Sequence, residues 1–487
     1  MARDSLPSAA DVFAELPPPI PDDHSLRPAI RESRAQDRRV IGVVDDDPTG
    51  SQAVHGVQVV TVLDEDAYEA ALSGVAATCF VLTNSRSLGA GQAAELTARA
   101  ARGLIAAAGR FGGPVDLVSR SDSTLRGHVI AEVDALAAVR REVLGFAPDG
   151  ILFAPAFIEA GRLTAGDVHW ARTPAGLVPA SQTEFARDRV FGYAASDLRD
   201  FLAEKSGGTI AAEDVRTISL ADIRLGGLPR IGEVLAAARR GTWLVVNATE
   251  YSDLELVAYA VLLAERAGQS FLFRTGPSFV RALSGLEPRP PLRGNELAPP
   301  PGRSRHGLIM VGSHVAKTTR QMTAVRSRSR VTSLELDVSL VASGGHRAMM
   351  SAAAMAGRVS AALDRSDVLL YTSREVVSGG GEQDDLAIAR AVSASLASIA
   401  GHALAARPAW IIAKGGITAH DIALHGLGIR RAEVAGQLFP GLISVLRPVD
   451  AAAEAIGMPY VVFPGNVGDD QALARVAAML SSASNVR

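Results

Sequence analysis

One pattern recurs along this chain of 487 residues: a short apolar run, a polar glycine-containing loop, then an amphipathic helix. In the first part of the chain the runs are 40–44, 57–63, 79–82, 115–118, 151–154, 243–246 and 271–273. In the second they are 308–311, 368–371, 410–413, 442–446 and 460–463. Helical candidates such as 129–144, 231–239 and 387–402 stand between them. Short apolar runs without polar alternation suit strands of a parallel sheet covered on both faces. Their alternation with helices predicts an α/β fold: two domains, each a largely parallel sheet flanked by helices. In such sheets ligands bind beyond the carboxyl ends of the strands, so the loops after the runs are where chemistry is expected.

Prolines divide the chain. Residues 1–38 hold Pro17, Pro18 and Pro19 and a polar stretch from Arg31 to Arg39. They read as a flexible N-terminal arm, loose or draped over the body. A connector at 286–305 holds Pro288, Pro290, Pro291, Pro299, Pro300 and Pro301, which favour a semi-extended course. The expected domains are therefore 39–285 and 306–487. The net charge of −3 gives no electrostatic case for a nucleic acid or an anionic membrane as partner. Arg326-Ser327-Arg328-Ser329-Arg330 is short and lacks interleaved aromatics, as a solvated face would. The single cysteine, Cys79, excludes an intrachain disulfide and reads as a small core residue. No apolar run approaches a membrane span, and the N-terminus lacks the apolar core of a signal peptide. A cytoplasmic location is expected.

The loops of the first domain carry carboxylates, hydroxyls and guanidiniums. Asp45-Asp46-Asp47-Pro48-Thr49-Gly50 follows the first run. Three adjacent carboxylates repel one another and are best tolerated when they hold hydroxyls, a metal or a cation; one of them capping a helix is the alternative. Thr83-Asn84-Ser85-Arg86-Ser87 follows the third run. Ser119 to His128 follows the fourth and offers Asp122, Ser121, Ser123, Thr124, Arg120 and Arg126. Arginine holds a carboxylate through two parallel hydrogen bonds, and Asp, Ser and Thr match sugar-like hydroxyls. A further loop, 155–166, adds Arg162 between Gly161 and Gly166. Together these loops point to a small anionic, hydroxyl-rich ligand.

The loops of the second domain suit phosphate. Gly312-Ser313-His314-Val315-Ala316-Lys317-Thr318 fails the P-loop pattern, because Ala316 stands where glycine is required before the lysine. It still offers Ser313 beside a helix start. Lys414-Gly415-Gly416-Ile417-Thr418 follows another run, and its two glycines let backbone N–H groups approach a ligand. Pro464-Gly465-Asn466 follows the last run. His314, His420 and His425 show no metal-ligand spacing.

Together these motifs resemble the four-carbon acid sugar kinase family, which includes the 3-oxo-tetronate and threonate kinases. The resemblance rests on Asp46-Asp47-Pro48-Thr49-Gly50, Asn84-Ser85-Arg86-Ser87, Asp122-Ser123-Thr124-Leu125-Arg126-Gly127, Gly161-Arg162-Leu163-Thr164, Thr183 to Asp188, Gly312-Ser313, Gly415-Gly416-Ile417-Thr418 and Gly465-Asn466, in that order. It implies an N-terminal domain for the sugar acid, a C-terminal domain for ATP, and an active-site cleft between them. Asp47 and Asp122 would be the candidates for orienting and deprotonating the attacking hydroxyl. Asp46, Thr49, Arg86, Ser123, Thr124, Arg126 and Arg162 would bind substrate, with Arg86 and Arg126 on its carboxylate. Ser313, Gly415, Gly416, Ile417, Thr418, Gly465 and Asn466 would contact ATP, and Mg²⁺ would accompany it. Asp45, Pro48 and Ile417 depart from the residues common in that family. Two other readings are a sugar-acid sensor that has kept the fold and a kinase of a different hydroxy acid. A dinucleotide oxidoreductase is disfavoured, since no G-x-G-x-x-G follows a strand. Apolar surface on the second domain would suit a homodimer, though no heptad seam marks one.

Overall fold

The computed structural model describes residues 9–485 apart from 23, 48, 75, 174–175, 313–314, 329–330, 375–381, 440 and 466, and only the backbone of 382–386. The chain forms two units: Met1–Val57 with Leu63–Pro288, and Gln58–Val62 with Arg289–Arg487. In chain order the strands are β1 (Val40–Asp45), β2 (Gln58–Val60), β3 (Thr78–Leu82), β4 (Val115–Arg120), β5 (Gly150–Ala154), β6 (Arg162–Ala165), β7 (Val168–Thr173), β8 (Gly176–Pro179), β9 (Arg216–Ile218), β10 (Thr242–Val246), β11 (Phe271–Thr275), β12 (Leu308–Val311), β13 (Val331–Leu336), β14 (Asp367–Thr372), β15 (Ile411–Lys414), β16 (Arg431–Phe439), β17 (Ile443–Asp450) and β18 (Tyr460–Phe463).

The first unit carries seven parallel strands in the order β3-β1-β4-β11-β5-β10-β9. Every residue of β1, β3, β4, β5 and β11 is buried, as an apolar run sandwiched between helices requires. β1 has β3 on one side and β4 on the other, so the strand order reverses there and a crevice opens beyond its carboxyl end. The stretch 155–166, expected as one loop, instead runs into β6, the first strand of a small antiparallel sheet β6-β7-β8. Leu163, Ala165 and Trp170 bury one side of that sheet, which gives those short, polar-looking segments a reason to be strands.

In the second unit the order is β13-β14-β12-β15-β18-β17-β16-β2. The pairings are parallel from β13 to β18 and antiparallel from β18 to β2. β16 alternates buried with partly exposed residues, the mark of a sheet with one open face. Residues 57–63 were expected among the strands of the first domain, yet β2 pairs with β16 through Val60↔Arg431, Val59↔Ala432 and Gln58↔Glu433. Arg431 Nη1 also donates to Gln58 Oε1 at 2.8 Å.

Both flanking segments are packed. Within the expected arm, Leu26–Gln36 is a helix. Its Arg27 donates to Glu255 at 2.8 Å, and Arg34 to the buried Asp116 at 2.6 Å. Two buried arginines lose water and need those carboxylates. In the connector, Leu292 and Leu297 are core residues of the second unit, and Leu292 N–H donates to the Gln437 carbonyl at 2.8 Å. Among the described residues one segment, Ala387–Ala406, is long and apolar enough to cross a membrane by length and composition alone. Its Leu396, Ile399 and Ala400 are fully buried in the second unit, as in a core helix.

Candidate functional site

In the first unit the loops after β1, β3 and β4 converge on one acid–arginine cluster. Arg86 donates to Asp46 through Nη2 at 2.7 Å and through Nε at 3.3 Å. Its Nη1 stands 3.0 Å from Asp47 Oδ2 and 3.7 Å from Asp122 Oδ2. Arg120 makes a buried ion pair with Asp45 and donates to the Asp47 carbonyl at 3.1 Å. Two arginines therefore let three consecutive aspartates coexist. Gly50 makes room for them: a Cβ there would stand 1.5 Å from Arg120 Nη2 and 2.0 Å from Asp45 Oδ2.

The Asp122 carboxylate receives Thr124 Oγ1 at 2.6 Å, Thr124 N–H at 3.1 Å and Arg126 Nε at 2.6 Å. Asp47 Oδ1 receives Thr49 N–H at 2.8 Å and Thr49 Oγ1 at 2.7 Å. The guanidiniums of Arg126 and Arg162 both lie over the Phe185 ring, 5.1 and 5.7 Å from its centroid. One aromatic ring thus stands within cation–π reach of two cations. Ser123 is fixed through its backbone, its carbonyl accepting from His169 Nε2 at 2.8 Å. That carbonyl can only accept, so the other ring nitrogen of His169 accepts from Thr164 Oγ1 at 3.0 Å. Burial pushes His169 down to about 4, which keeps the ring neutral in this role.

Beneath the cluster lies a second, fully buried one. Arg274 pairs with Glu132 and donates to Ser119 Oγ at 2.6 Å. Glu132 also accepts from Ser85 Oγ at 2.6 Å. The electrostatics follow from these contacts. Burial raises Asp122, but the charges of Arg86 and Arg126 and the Thr124 hydrogen bonds outweigh it and hold the carboxyl well below the usual range. Burial likewise raises Asp47, and Arg86, Arg120 and Thr49 together bring it below its ordinary value. For Asp45 burial wins over Arg120 and pushes the carboxyl up to about 7. For Asp46 burial also wins, over Arg86 and Arg120.

In the second unit, β12 has β14 on one side and β15 on the other, so the order reverses there too. The loops after β15 and β18 are locked together by a lysine. Lys414 is fully buried. Its Nζ donates to the Pro464 carbonyl at 3.0 Å and the Gly465 carbonyl at 3.2 Å, and lies 4.1 Å from the centroid of the Phe463 ring. Thr318 Oγ1 donates to the same Gly465 carbonyl at 3.0 Å. Burial first, then the nearby Lys317 charge, pushes Lys414 down to about 7. Gly415 has φ 116° and ψ 136°, backbone that only glycine holds without strain. Gly416 opens the helix Gly416–Asp421; Thr418 is buried on it and Ile417 is exposed.

The structure thus brings Asp46, Asp47, Thr49, Arg86, Asp122, Thr124 and Arg126 into contact, with Arg162 joined through Phe185. Gly415, the helix start Gly416, Ile417 and Thr418, and the loop residue Gly465 follow the neighbouring strands β15 and β18 of the second unit. Ser313 and Asn466 lie outside the described residues. Sequence reasoning missed Lys414, Thr318, Phe185 and the Glu132–Arg274 pair. Lys414 was visible beside its glycines, but a lysine at a strand end ordinarily reads as a solvated cation.

Comparison with known proteins fits this division. Residues 41–283 match the family described as "Sugar-binding N-terminal domain", and residues 308–473 match "Nucleotide-binding C-terminal domain". The D-erythronate kinase of Heliobacterium modesticaldum is 28% identical over 251 residues, which span 51% of this chain and 50% of that protein. The chain is thus matched over only about half of that relative's length. Two solved structures share the fold over most of both chains. A Haemophilus influenzae protein superposes with a TM-score of 0.61 at 18% identity, covering 90% of this chain and 100% of its own. A Salmonella typhimurium LT2 protein gives 0.65 at 16% identity, covering 90% and 98%.

Proposed function

Since the chain belongs to the four-carbon acid sugar kinase family, with its sugar-binding and nucleotide-binding domains, we propose that it transfers the γ-phosphoryl group of ATP to a hydroxyl of a four-carbon sugar acid. One observation carries this reading. The strand order reverses once in each unit, and the crevices there are lined by different chemistry. In one, carboxylates, hydroxyls and paired guanidiniums converge. In the other, glycine loops are stitched by a buried lysine.

Arg126 and Arg162, both within reach of the Phe185 ring, are the pair suited to the substrate carboxylate. Arg86 takes a different role from the expected grip, because Asp46, Asp47 and Asp122 already occupy its donors. It holds the acidic loops in register. Asp47 is the better general base. Its Oδ2 faces the single donor Arg86, whereas Asp122 Oδ2 faces Thr124 and Arg126 as well. Its side chain is also the more open, 23% exposed against 12%. The hydroxyl proton passes to Asp47, the hydroxyl oxygen forms the new bond to phosphorus, and ADP leaves. The Gly415 N–H is taken by the Phe463 carbonyl at 2.9 Å, so it is the amides from Gly416 onward, opening the helix Gly416–Asp421, that suit the phosphates. Mg²⁺ would accompany the nucleotide's phosphates, and no residue is assigned to it.

Lys414 gives this reading a pH signature. Its ammonium loses its proton as pH rises through about 7, and a positive charge beside the phosphate loop goes with it. The kcat/KM for ATP is expected to fall across that window, and Lys414→Met should flatten the profile at a uniformly lower value. An unchanged inflection in the variant would assign it elsewhere. The reading as a whole is tested by ADP release over a panel of erythronate, threonate and 3-oxo-tetronate, each with Mg-ATP. Turnover with one of them is expected. Thermal stabilisation by an acid but never by ATP would favour the sensor instead.

A further inference from the structure

We propose that the first unit holds a second ligand site, for an amphipathic anion, at the end of its sheet opposite the sugar-acid crevice. A cavity of about 810 Å³ opens there, lined by Arg31, Arg34, Arg38, Arg39 and His55 around an apolar wall that includes Leu72 and Phe111. Cavities of this size ordinarily hold drug-sized ligands.

Its place in the fold separates it from the substrate. Val40 opens β1 and Ala77 immediately precedes β3, and both line the cavity. The acid–arginine cluster lies at the other end of the same strands. A strand of six residues, the length of β1, sets the two ends ~20 Å apart.

The cations are arranged rather than scattered. Arg31, Arg34, Ala35 and Arg38 all line the cavity. Their spacing is that of one helical face, and the helix Leu26–Gln36 presents it, with Arg38 just beyond its end. Among the described residues, none of those lining the space is a carboxylate. The carboxylates that neutralise part of the charge lie outside the lining. Asp116 takes Arg34 and Arg39, Glu265 stands 2.9 Å from Arg39, and Glu287 stands 3.1 Å from Arg31. Arg34 and Arg39 still keep buried donors, Nη1 and Nε, without a partner among the described residues. A buried guanidinium with spare donors favours an anion. The wall of Val40, Leu72, Ala76, Ala77, Phe111 and Leu286 favours a hydrocarbon or aromatic body. A free inorganic anion would leave that wall uncovered, and a neutral hydrocarbon would leave the arginines unanswered. All four arginines precede residue 41, where the match to the sugar-binding domain begins. The site is thus a property of this chain's N-terminal segment and stands whether or not the kinase reading does.

The test uses the full chain and calorimetric titration with decanoate, decanol and decyltrimethylammonium. Decanoate is expected to bind one to one, and the other two not. Arg31→Gln/Arg38→Gln should weaken decanoate at least tenfold. Ala35→Trp, which fills the cavity from the helix face, should abolish binding. Both variants should keep the wild-type thermal shifts with ATP and with sugar acid, which shows that they are folded. Equal binding of decanol, or decanoate binding unchanged in both variants, would overturn the proposal.

Discussion

Asp47→Asn should lower turnover by roughly a hundred- to ten-thousandfold, the usual contribution of a positioned base, while the KM for ATP stays unchanged. The amide keeps the shape of the carboxylate and still accepts from Thr49, so the loop survives. It cannot take a proton. Because Arg86, Arg120 and Thr49 hold the Asp47 carboxyl below its ordinary value, it stays ionised until pH falls through that lowered value. The acid limb of kcat should therefore show no inflection from this group anywhere in or above the usual carboxylate range. Asp122→Asn should act differently. It frees Arg126 and Arg86 from a shared partner, so the KM for the sugar acid should shift along with turnover. A steady-state comparison of the two variants decides between them. If Asp122→Asn removes turnover at constant KM and Asp47→Asn leaves it intact, the two roles are reversed.

Arg274→Met should cost about 3–5 kcal/mol of stability, the range seen when one member of a buried ion pair is removed. Arg274 is 0% exposed and Glu132 2%, so the remaining carboxylate has no solvent to turn to. Among the described residues, the hydroxyls of Ser85 and Ser119 are the partners that stay with it. For a unit of this size the loss corresponds to a fall in Tm on the order of 10 °C. The double variant Arg274→Met/Glu132→Leu should recover much of it, since replacing both charges removes the uncompensated one. Thermal or urea unfolding of the three proteins checks this. A single variant within about 1 kcal/mol of the parent would show that the pair is not a buried ion pair in solution. The pair also sits under the acid–arginine cluster. Ser85 lies one residue before Arg86, so a slack Glu132 should be felt as lost turnover in whatever fraction remains folded.

The sequence disclosed the parts of this molecule whose signals are local. Runs such as 40–44 and 308–311 are strands because uninterrupted apolar side chains have few other places to go. The glycine-bearing loops after them mark the crevices because a close backbone approach needs glycine wherever it occurs. Signals that depend on distant partners were not legible. β13 reads Val-Thr-Ser-Leu-Glu-Leu, too polar to stand out, and is a strand because β14 receives it along its length. The Lys414 side chain becomes structural only when the Pro464 and Gly465 carbonyls come to it. Arg86 looked like a free anion hook, and only the meeting of the loops shows its donors already taken. The run 57–63 reads as a strand correctly, but no local pattern names β16 as its partner.

That last strand bears on how the protein can be made and cut. Gln58–Val60 lies near the start of the chain and pairs with residues some 370 positions later. A ribosome emits β2 long before β16 exists, so the β2–β16 pairing forms only after some 370 further residues have been made. Nor does any single cut free an intact second unit. A fragment starting at Arg289 would lack β2 and expose the backbone donors and acceptors of β16 as a sticky edge. Supplying the missing piece as a short peptide spanning Gln58–Val62, or grafting it through a turn onto the fragment's own terminus, is the route to a soluble isolated domain.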